Sequence, residues 1–139
     1  MYLFDASAIV NLIKQGFVRI LGDGSTIDLA YYESLSAVWK EYKLLGRIDW
    51  ETALEFVKII GRVFEVIDTC NIRDGGEELL ELALRENLTI YDASYLFTAI
   101  NRNLILVTDD KKLREKASKY VKTLSSRDLI REIVGDISA

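Results

Sequence analysis

Apolar residues recur along the chain in two patterns, as short continuous runs and as stripes with helical spacing. The short runs predict strands at residues 1–4, 26–31, 63–67, 104–107 and 121–124. The stripes predict helices at residues 7–15, 32–45, 50–60, 77–86, 90–101, 111–119 and 127–134. Strands that alternate with helices in this order favour a parallel sheet with helices packed on both of its faces.

The length and composition of the chain indicate one folded domain. It has 139 residues, of which 50% are hydrophobic and 29% are charged, whereas disordered chains are poorer in hydrophobic residues. No internal repeat, low-complexity segment or Ser/Gly-rich linker divides the sequence. We therefore expect a single α/β domain over residues 1–139.

The chain contains no histidine and only one cysteine, Cys70. These absences exclude a Ser-His-Asp triad, a Cys-His dyad, a disulfide within the chain and the common zinc sites. Cys70 follows an apolar run and is interpreted as a small buried hydrophobic residue. Any catalysis must therefore use carboxylates, hydroxyls, lysine or arginine, and carboxylates without histidine favour Mg²⁺ or Mn²⁺.

The net charge of −4 is distributed unevenly along the chain. Residues 1–101 contain 9 basic and 16 acidic side chains, whereas residues 102–131 contain 9 basic and 4 acidic ones. Such a basic segment can approach nucleic acid, although it is also consistent with a solvated helix face. The start of the chain lacks the basic and apolar regions of a signal peptide, and no apolar run is long enough to span a bilayer. We therefore expect a cytoplasmic protein without membrane contacts.

Five acidic residues stand where a predicted strand ends or where the following helix begins. They are Asp5, Glu33, Asp92, Asp109 and Asp110. Open parallel sheets bind ligands beyond the carboxyl ends of their strands, so these side chains could meet at one edge of the sheet. Carboxylates that meet in this way repel one another unless a cation or a proton compensates them.

Each of these acids also has a structural interpretation. Asp5, Asp92 and Asp109 stand where a side chain can cap the first turn of a helix. Glu33 lies opposite the apolar stripe of its predicted helix, which indicates a side chain in solvent. The residues alone leave both interpretations open.

Four segments of the chain resemble the motifs of the PIN-domain nucleases, most closely those of the VapC-type toxins. The segments are residues 1–7 (MYLFDAS), 30–39 (AYYESLSAVW), 88–95 (LTIYDASY) and 104–113 (LILVTDDKKL). They follow the order and spacing of that family and extend over nearly the whole chain. The resemblance implies a PIN-like three-layer α/β/α sandwich with a mostly parallel central sheet of about four to five strands.

The resemblance also implies an acidic metal site, formed by Asp5, Glu33, Asp92 and Asp110. Asp109 occupies the variable position before the last of these acids and is a candidate further ligand. Ser7 and Thr108 would orient carboxylates or water. The chain departs from the family pattern at Ser36, where asparagine is frequent, and this affects a supporting hydrogen bond rather than the metal site.

The reaction implied by the resemblance is hydrolysis of RNA phosphodiester bonds with one or two Mg²⁺ or Mn²⁺ ions. Such ions lower the pKa of bound water and neutralise charge on the phosphoryl oxygens. Because carboxylates cannot bind a polyanion, basic side chains must contact the RNA phosphates. The basic residues that follow Asp110 are Lys111, Lys112, Arg114 and Lys116.

Protein partners are a further implication of the resemblance, namely a second copy of the chain and a VapB-like antitoxin that blocks the acidic site. Aromatic residues around the second and third predicted helices could line such an interface, or they could be ordinary core and surface residues. These residues are Tyr31, Tyr32, Trp39, Tyr42 and Trp50.

Three other functions remain open from the sequence. A PIN domain could act in RNA processing or decay instead of as a toxin, or it could bind RNA without cutting it. A response-regulator receiver, which is a regulatory module, also places acids at strand ends, and Asp68 is the candidate for its phosphoacceptor. Receivers usually carry an acidic pair near the end of the first strand, whereas Asp5 is followed by Ala6 and Ser7.

Overall fold

The computed structural model describes the backbone of residues 1–138 and the side chains of residues 1–135. The strands of this part of the chain are β1 (Tyr2–Phe4), β2 (Ser25–Ile27), β3 (Asp68–Cys70), β4 (Ile105–Val107) and β5 (Thr123–Leu124). They form one sheet in the order β3-β2-β1-β4-β5, and every neighbouring pair is parallel. The parallel sheet predicted from the sequence is therefore confirmed.

Helices occupy most of the chain between these strands. The α-helices are α1 (Ala6–Lys14), α2 (Leu29–Trp39), α3 (Trp50–Val66), α4 (Gly76–Glu86), α5 (Ile90–Arg102), α6 (Lys111–Ala117) and α7 (Ser126–Ser138). A π-helical turn at Lys40–Leu44 extends α2, and 3₁₀ turns cover Arg19–Asp23 and Arg73–Gly75.

The path of the chain explains the three layers. It runs outward from β1 through β2 to β3, and then returns to β4 and β5 on the other side of β1. Because crossovers between parallel strands are right-handed, the helices of the outward and the returning path lie on opposite faces of the sheet. On one face α1 packs against α2 and α7, and on the other α5 packs across β1, β2 and β4 with α4 beside it. The predicted α/β/α sandwich is thus confirmed.

Polar side chains determine where several helices begin and end. Asp5, Asp49 and Thr89 accept hydrogen bonds from backbone N–H groups in the first turns of α1, α3 and α5. Asn87 and Asn103 end α4 and α5 in the left-handed conformation, each with a φ of 54°. The predicted helices at 77–86 and 90–101 have these ends to within one residue.

The predicted strand at residues 63–67 is wrong. Residues 63–66 form the last turn of α3, and β3 begins afterwards at Asp68. Val63 and Ile67 are both buried and four residues apart, so this β-branched run matches a helix face as well as a strand. The helix predicted over residues 50–60 is also too short, because α3 continues through Gly61 to Val66. No atom lies close to the position that a Cβ at Gly61 would occupy.

The predicted strand at residues 26–31 is too long at its end. β2 stops at Ile27 and α2 begins at Leu29, so Glu33 lies in the second turn of its helix and not in the first. The buried positions of α2 follow helical spacing from its first turn, which explains the early start. These positions are Ala30, Ser34 and Val38.

The order of the strands creates a switch point between β1 and β4. The first crossover places β2 on one side of β1, whereas β4 joins the sheet on the other side of β1. In open parallel sheets the ligand site lies at the carboxyl ends of the strands at such a point. No helix in the described part of the chain is both long and apolar enough to cross a membrane.

Candidate active site

Asp5 lies at the switch point, directly after β1, and is only 5% exposed. Its Oδ1 accepts hydrogen bonds from the Ser7 hydroxyl at 2.7 Å and from the Ala8 N–H at 2.9 Å, while its Oδ2 accepts one from the Thr108 hydroxyl. A carboxylate has about four acceptor positions. Three are filled here, so Oδ2 retains one position for a cation or a proton.

The Ser7 and Thr108 hydroxyls also hold the loop after β4 against Asp5. The Asp109 N–H donates to Ser7 Oγ at 2.9 Å, and the Asp110 N–H donates to Thr108 Oγ1 at 3.1 Å. Each hydroxyl therefore connects one backbone N–H of this loop to one oxygen of Asp5. These contacts are the ones that an orienting role of the two hydroxyls requires.

Burial raises the pKa of Asp5 from 3.8 to about 6. The hydrogen bonds from Thr108, Ala8 and Ser7 lower this pKa and offset part of the effect, whereas the negative charge of Asp109 raises it further. The charged form of Asp5 is therefore disfavoured in the metal-free protein, and a nearby cation would stabilise it.

Glu33 on α2 is held by Tyr95 on α5. The Tyr95 hydroxyl donates a hydrogen bond to Glu33 Oε1 at 2.5 Å, and the tyrosine itself is 2% exposed. Burial, this hydrogen bond and the negative charges of Glu33 and Asp5 all raise the pKa of Tyr95. Glu33 is half-buried, whereas the helical wheel alone indicates a side chain in solvent.

Asp92 lies in the first turn of α5 and is half-buried. Burial raises its pKa first, and the negative charges of Asp110 and Glu33 raise it further, while the positive charge of Lys112 lowers it. Asp110 and Glu33 therefore lie close enough to Asp92 for their charges to act on it. Together with Asp5, these three residues form an acidic edge at the carboxyl ends of the central strands.

The two aspartates after β4 have different contacts. Asp110 is exposed and caps α6, because its Oδ1 accepts from the Leu113 N–H at 3.0 Å. Asp109 accepts from the amide of Asn11 at 2.6 Å and from both the N–H and the hydroxyl of Ser126 at 2.7 Å. Both oxygens of Asp109 therefore bind protein donors, and this side chain ties the loop after β4 to α1 and α7.

The four basic residues after Asp110 do not share one position. Lys111 and Lys112 are exposed, and Lys112 acts electrostatically on Asp92. Arg114 donates a hydrogen bond to the carbonyl oxygen of Thr108 at 2.9 Å. Lys116 acts on Glu86 at the end of α4, away from the acidic edge.

Within the described side chains, no three Asp, Glu or Cys residues are grouped closely enough to hold one metal ion as they stand. The chemistry of the donor set nevertheless suits a hard cation. The acidic edge offers carboxylate oxygens and no histidine or sulfur ligand, and the pKa values of Asp5 and Asp92 are both raised. Burial is the main cause of both shifts, with neighbouring negative charge second, and a bound cation would favour the charged form of each carboxyl group.

A model of the PIN domain family matches residues 2–119. The chain belongs to this family. PIN domains are nucleases that generally use divalent metal ions, and a nuclease site at the acidic edge agrees with that class. The VapC-type resemblance of the sequence is confirmed by the relatives described next.

Two curated relatives of this PIN domain come from Pyrobaculum aerophilum. The exonuclease VapC9 is 35% identical over 130 residues, which cover 91% of this chain and 94% of the relative. The ribonuclease VapC3 is 29% identical over 91 residues, which cover 66% of this chain and 69% of the relative. The crystal structure of PAE2754 from the same organism superposes with a TM-score of 0.77, at 31% identity and 96% coverage of both chains.

The receiver interpretation is excluded by the family and by the position of Asp68. Asp68 is the first residue of β3, so it lies at the amino end of its strand, whereas Asp5 follows the carboxyl end of β1. A phosphoacceptor would have to lie at the carboxyl edge with the other acids.

Three polar residues of the site were not identified by sequence reasoning. Tyr95 holds Glu33, and Asn11 and Ser126 hold Asp109. Tyr95 stands three residues after Asp92, so helical spacing places it on the same face of α5 and could have indicated it. Asn11 and Ser126 carry no comparable signal, because their contacts join distant parts of the chain.

Proposed function

We propose that this PIN nuclease cleaves RNA phosphodiester bonds with Mg²⁺ or Mn²⁺ as its cofactor. The supporting observation is the acidic edge, where burial and neighbouring negative charge raise the pKa values of Asp5 and Asp92. Carboxylate oxygens are the ligands that Mg²⁺ and Mn²⁺ take in proteins. In this proposal the ligands of one or two ions are Asp5, Glu33, Asp92 and Asp110.

The surrounding residues orient these ligands. Ser7 and Thr108 fix both oxygens of Asp5 by hydrogen bonds, which leaves one acceptor position for the ion. Tyr95 fixes Glu33 and is a positioning residue, because it acts through the glutamate. When bound, the metal lowers the pKa of a water molecule and neutralises charge on the phosphoryl group.

Asp109 takes a positioning role in this proposal and not that of a ligand. Its two oxygens already accept hydrogen bonds from Asn11 and Ser126. These contacts hold its side chain against α1 and α7. It instead anchors the loop that carries Asp110.

Lys111 and Lys112 are the proposed phosphate contacts. Both side chains are exposed, and the positive charge of Lys112 reaches Asp92 at the acidic edge. Arg114 is committed to the carbonyl of Thr108, so its proposed role is to position the loop. Lys116 lies near Glu86 and would contact RNA only away from the cleaved bond.

A cleavage assay with end-labelled RNA tests the proposal. We expect cleavage with Mg²⁺ or Mn²⁺, none in EDTA, and none by the Asp92→Asn variant with an unchanged circular-dichroism spectrum. The matched control is Asp23→Asn, an exposed acid in the 3₁₀ turn before β2, which should cleave at the wild-type rate. Equal rates for the wild type and Asp92→Asn would contradict the proposal.

The same assay shows whether the protein removes nucleotides from the end of an RNA or cuts within it. Circular RNA is cut only by an endonuclease, whereas a linear substrate is cut by either kind of enzyme. The comparison matters because VapC9 is named an exonuclease and VapC3 a ribonuclease. A single-stranded DNA of the same sequence identifies the preferred nucleic acid.

We also propose that the nuclease is the toxin of a toxin–antitoxin pair, with a VapB-like partner and a homodimeric state. The supporting feature is an apolar groove between α2 and α3, with a volume of about 280 Å³. Trp39, Tyr42 and Trp50 line it and are 54%, 40% and 58% exposed, so this face has large apolar surfaces in contact with water.

Expression in a bacterial host tests the toxin assignment. We expect growth arrest that the Asp92→Asn variant does not cause and that a co-encoded small protein relieves. Sedimentation of the purified chain should give the mass of a dimer. RNA cleavage without growth arrest would instead indicate a role in RNA processing.

A further inference from the structure

A cavity lined by both apolar and charged residues lies at the carboxyl edge of the sheet, beyond the acidic edge. It has a volume of about 320 Å³ and is formed where β2 and β3 end and α5 begins. We call it the β2–β3 cavity. We propose that it binds one base of the RNA, adjacent to the nucleotide that is cleaved, and disfavours uracil there. This inference rests on the proposed RNA cleavage.

The position of the cavity follows from the strand register. Leu3 pairs with Ser25, so Ile27 lies level with Asp5 two residues further along the parallel strands. Neighbouring strands are about 4.8 Å apart, so the wall formed by Ile27 begins one strand away from Asp5. Ser94 on α5 lines the same cavity from the neighbouring helix. A nucleic-acid strand bound at the acidic edge therefore passes the opening of the cavity.

The lining of the cavity combines an apolar floor with a polar rim. The floor is formed by Ile27, Leu29, Cys70 and Ile72. Such a surface suits the face of an unstacked base, and recognition of single-stranded RNA uses bases that are splayed out of the stack. The rim is formed by Asp28, Asn71 and Arg73.

The charged groups of the rim have no partners within the described side chains. Asp28 precedes α2 without capping it, and its carboxylate makes no hydrogen bond there. No ion pair reaches the Arg73 guanidinium either, and only its backbone N–H is bonded, to Asn71 Oδ1. Both charges are therefore available to a ligand.

The chemistry of Asp28 predicts a base preference. A carboxylate only accepts hydrogen bonds at neutral pH. Adenine, cytosine and guanine each carry an exocyclic amino group that donates, whereas the only base donor of uracil is its N3–H, which lies between two carbonyl oxygens that repel a carboxylate. Arg73 suits a phosphate oxygen, which adds affinity without base selectivity.

A neighbouring cavity limits the site to one nucleotide. This cavity shares Asn71 and Ile72 with the β2–β3 cavity and has a volume of about 410 Å³. Its lining includes Asp74 and Glu78 with Arg102, so its formal charge is negative. A phosphate is disfavoured there, and the strand must leave after the base in the β2–β3 cavity.

Fluorescence anisotropy tests the inference. It measures the binding of labelled A, C and U hexamers to the Asp92→Asn protein. We expect A and C hexamers to bind more tightly than U. Asp28→Asn should reduce that ratio at least threefold, because an amide also donates. Arg73→Gln should weaken all three hexamers by about the same factor, roughly fivefold, and lower the salt slope by about one.

Arg19→Gln is the matched control, because Arg19 is exposed in the turn before β2, at the other end of the strand. It should leave the affinities and their ratio unchanged. The inference is overturned if Asp28→Asn keeps the wild-type ratio, or if Arg73→Gln behaves like Arg19→Gln. If the wild-type protein does not cleave RNA in Mg²⁺, the proposed function is refuted. Either of the results named above for Asp28→Asn and Arg73→Gln refutes only the base site.

Discussion

The buried carboxyl group of Asp5 makes the stability of the metal-free protein depend on pH. Its pKa is raised from 3.8 to about 6, so the native state binds this proton more tightly than the unfolded state. The protonated carboxyl therefore stabilises the fold at low pH, and this contribution is lost as the pH rises through 6. The pKa difference of about 2.2 corresponds to about 3 kcal/mol, most of which disappears between pH 4 and pH 7.

Urea unfolding of the wild type and the Asp5→Asn variant in EDTA measures this effect. Other carboxylates titrate over the same pH range. Because Asp5→Asn retains them, their contribution is the same in both proteins and cancels in the difference of unfolding free energies. The unfolding free energy of the wild type minus that of Asp5→Asn should fall by about 2 to 3 kcal/mol from pH 4 to pH 7. Mg²⁺ at saturating concentration should reduce this fall. A difference that stays constant with pH in EDTA would refute the reasoning about Asp5.

The remaining predictions concern the positioning residues. Tyr95→Phe removes a hydrogen bond to the charged Glu33, worth about 1.5 to 3 kcal/mol, so kcat/KM should fall about 10- to 100-fold with weaker Mn²⁺ binding by calorimetry. The control Tyr91→Phe, at an exposed tyrosine, should change neither quantity. Asp109→Asn has one acceptor oxygen in place of two, so it cannot accept from both the Asn11 amide and the Ser126 N–H at the start of α7, and the protein should lose about 1 to 2 kcal/mol of stability in urea unfolding. Wild-type stability of Asp109→Asn would contradict its anchoring role.

Local patterns predicted most of the fold. The apolar run at residues 104–107 and the end of α4 at Asn87 are set by neighbouring residues, and the structure confirms both. The strand β3 was misplaced because Val63 and Ile67 match two periodicities, and only packing of the whole chain selects the helix. A helical or strand spacing alone does not contain that information.

The candidate site divides in the same way. Asp5 and Asp110 are identified by their positions after strands, which sequence patterns reveal. The surroundings of Glu33 depend on a contact with Tyr95, 62 residues away, and a helical wheel of α2 alone indicates solvent. The contacts of Asp109 likewise depend on Asn11, 98 residues away, which local spacing does not show.

The proposed metal site requires that the carboxylates of the acidic edge share a divalent cation. A crystal of the wild-type protein grown with Mn²⁺ tests it through anomalous scattering, which locates manganese independently of the enzyme's activity. We expect an anomalous peak at the carboxyl ends of β1 and β4, within about 2.3 Å of oxygens of Asp5 and at least one of Glu33, Asp92 and Asp110. Crystals with Mn²⁺ in excess and no peak at this edge, or a peak bound by other residues alone, would contradict the claim.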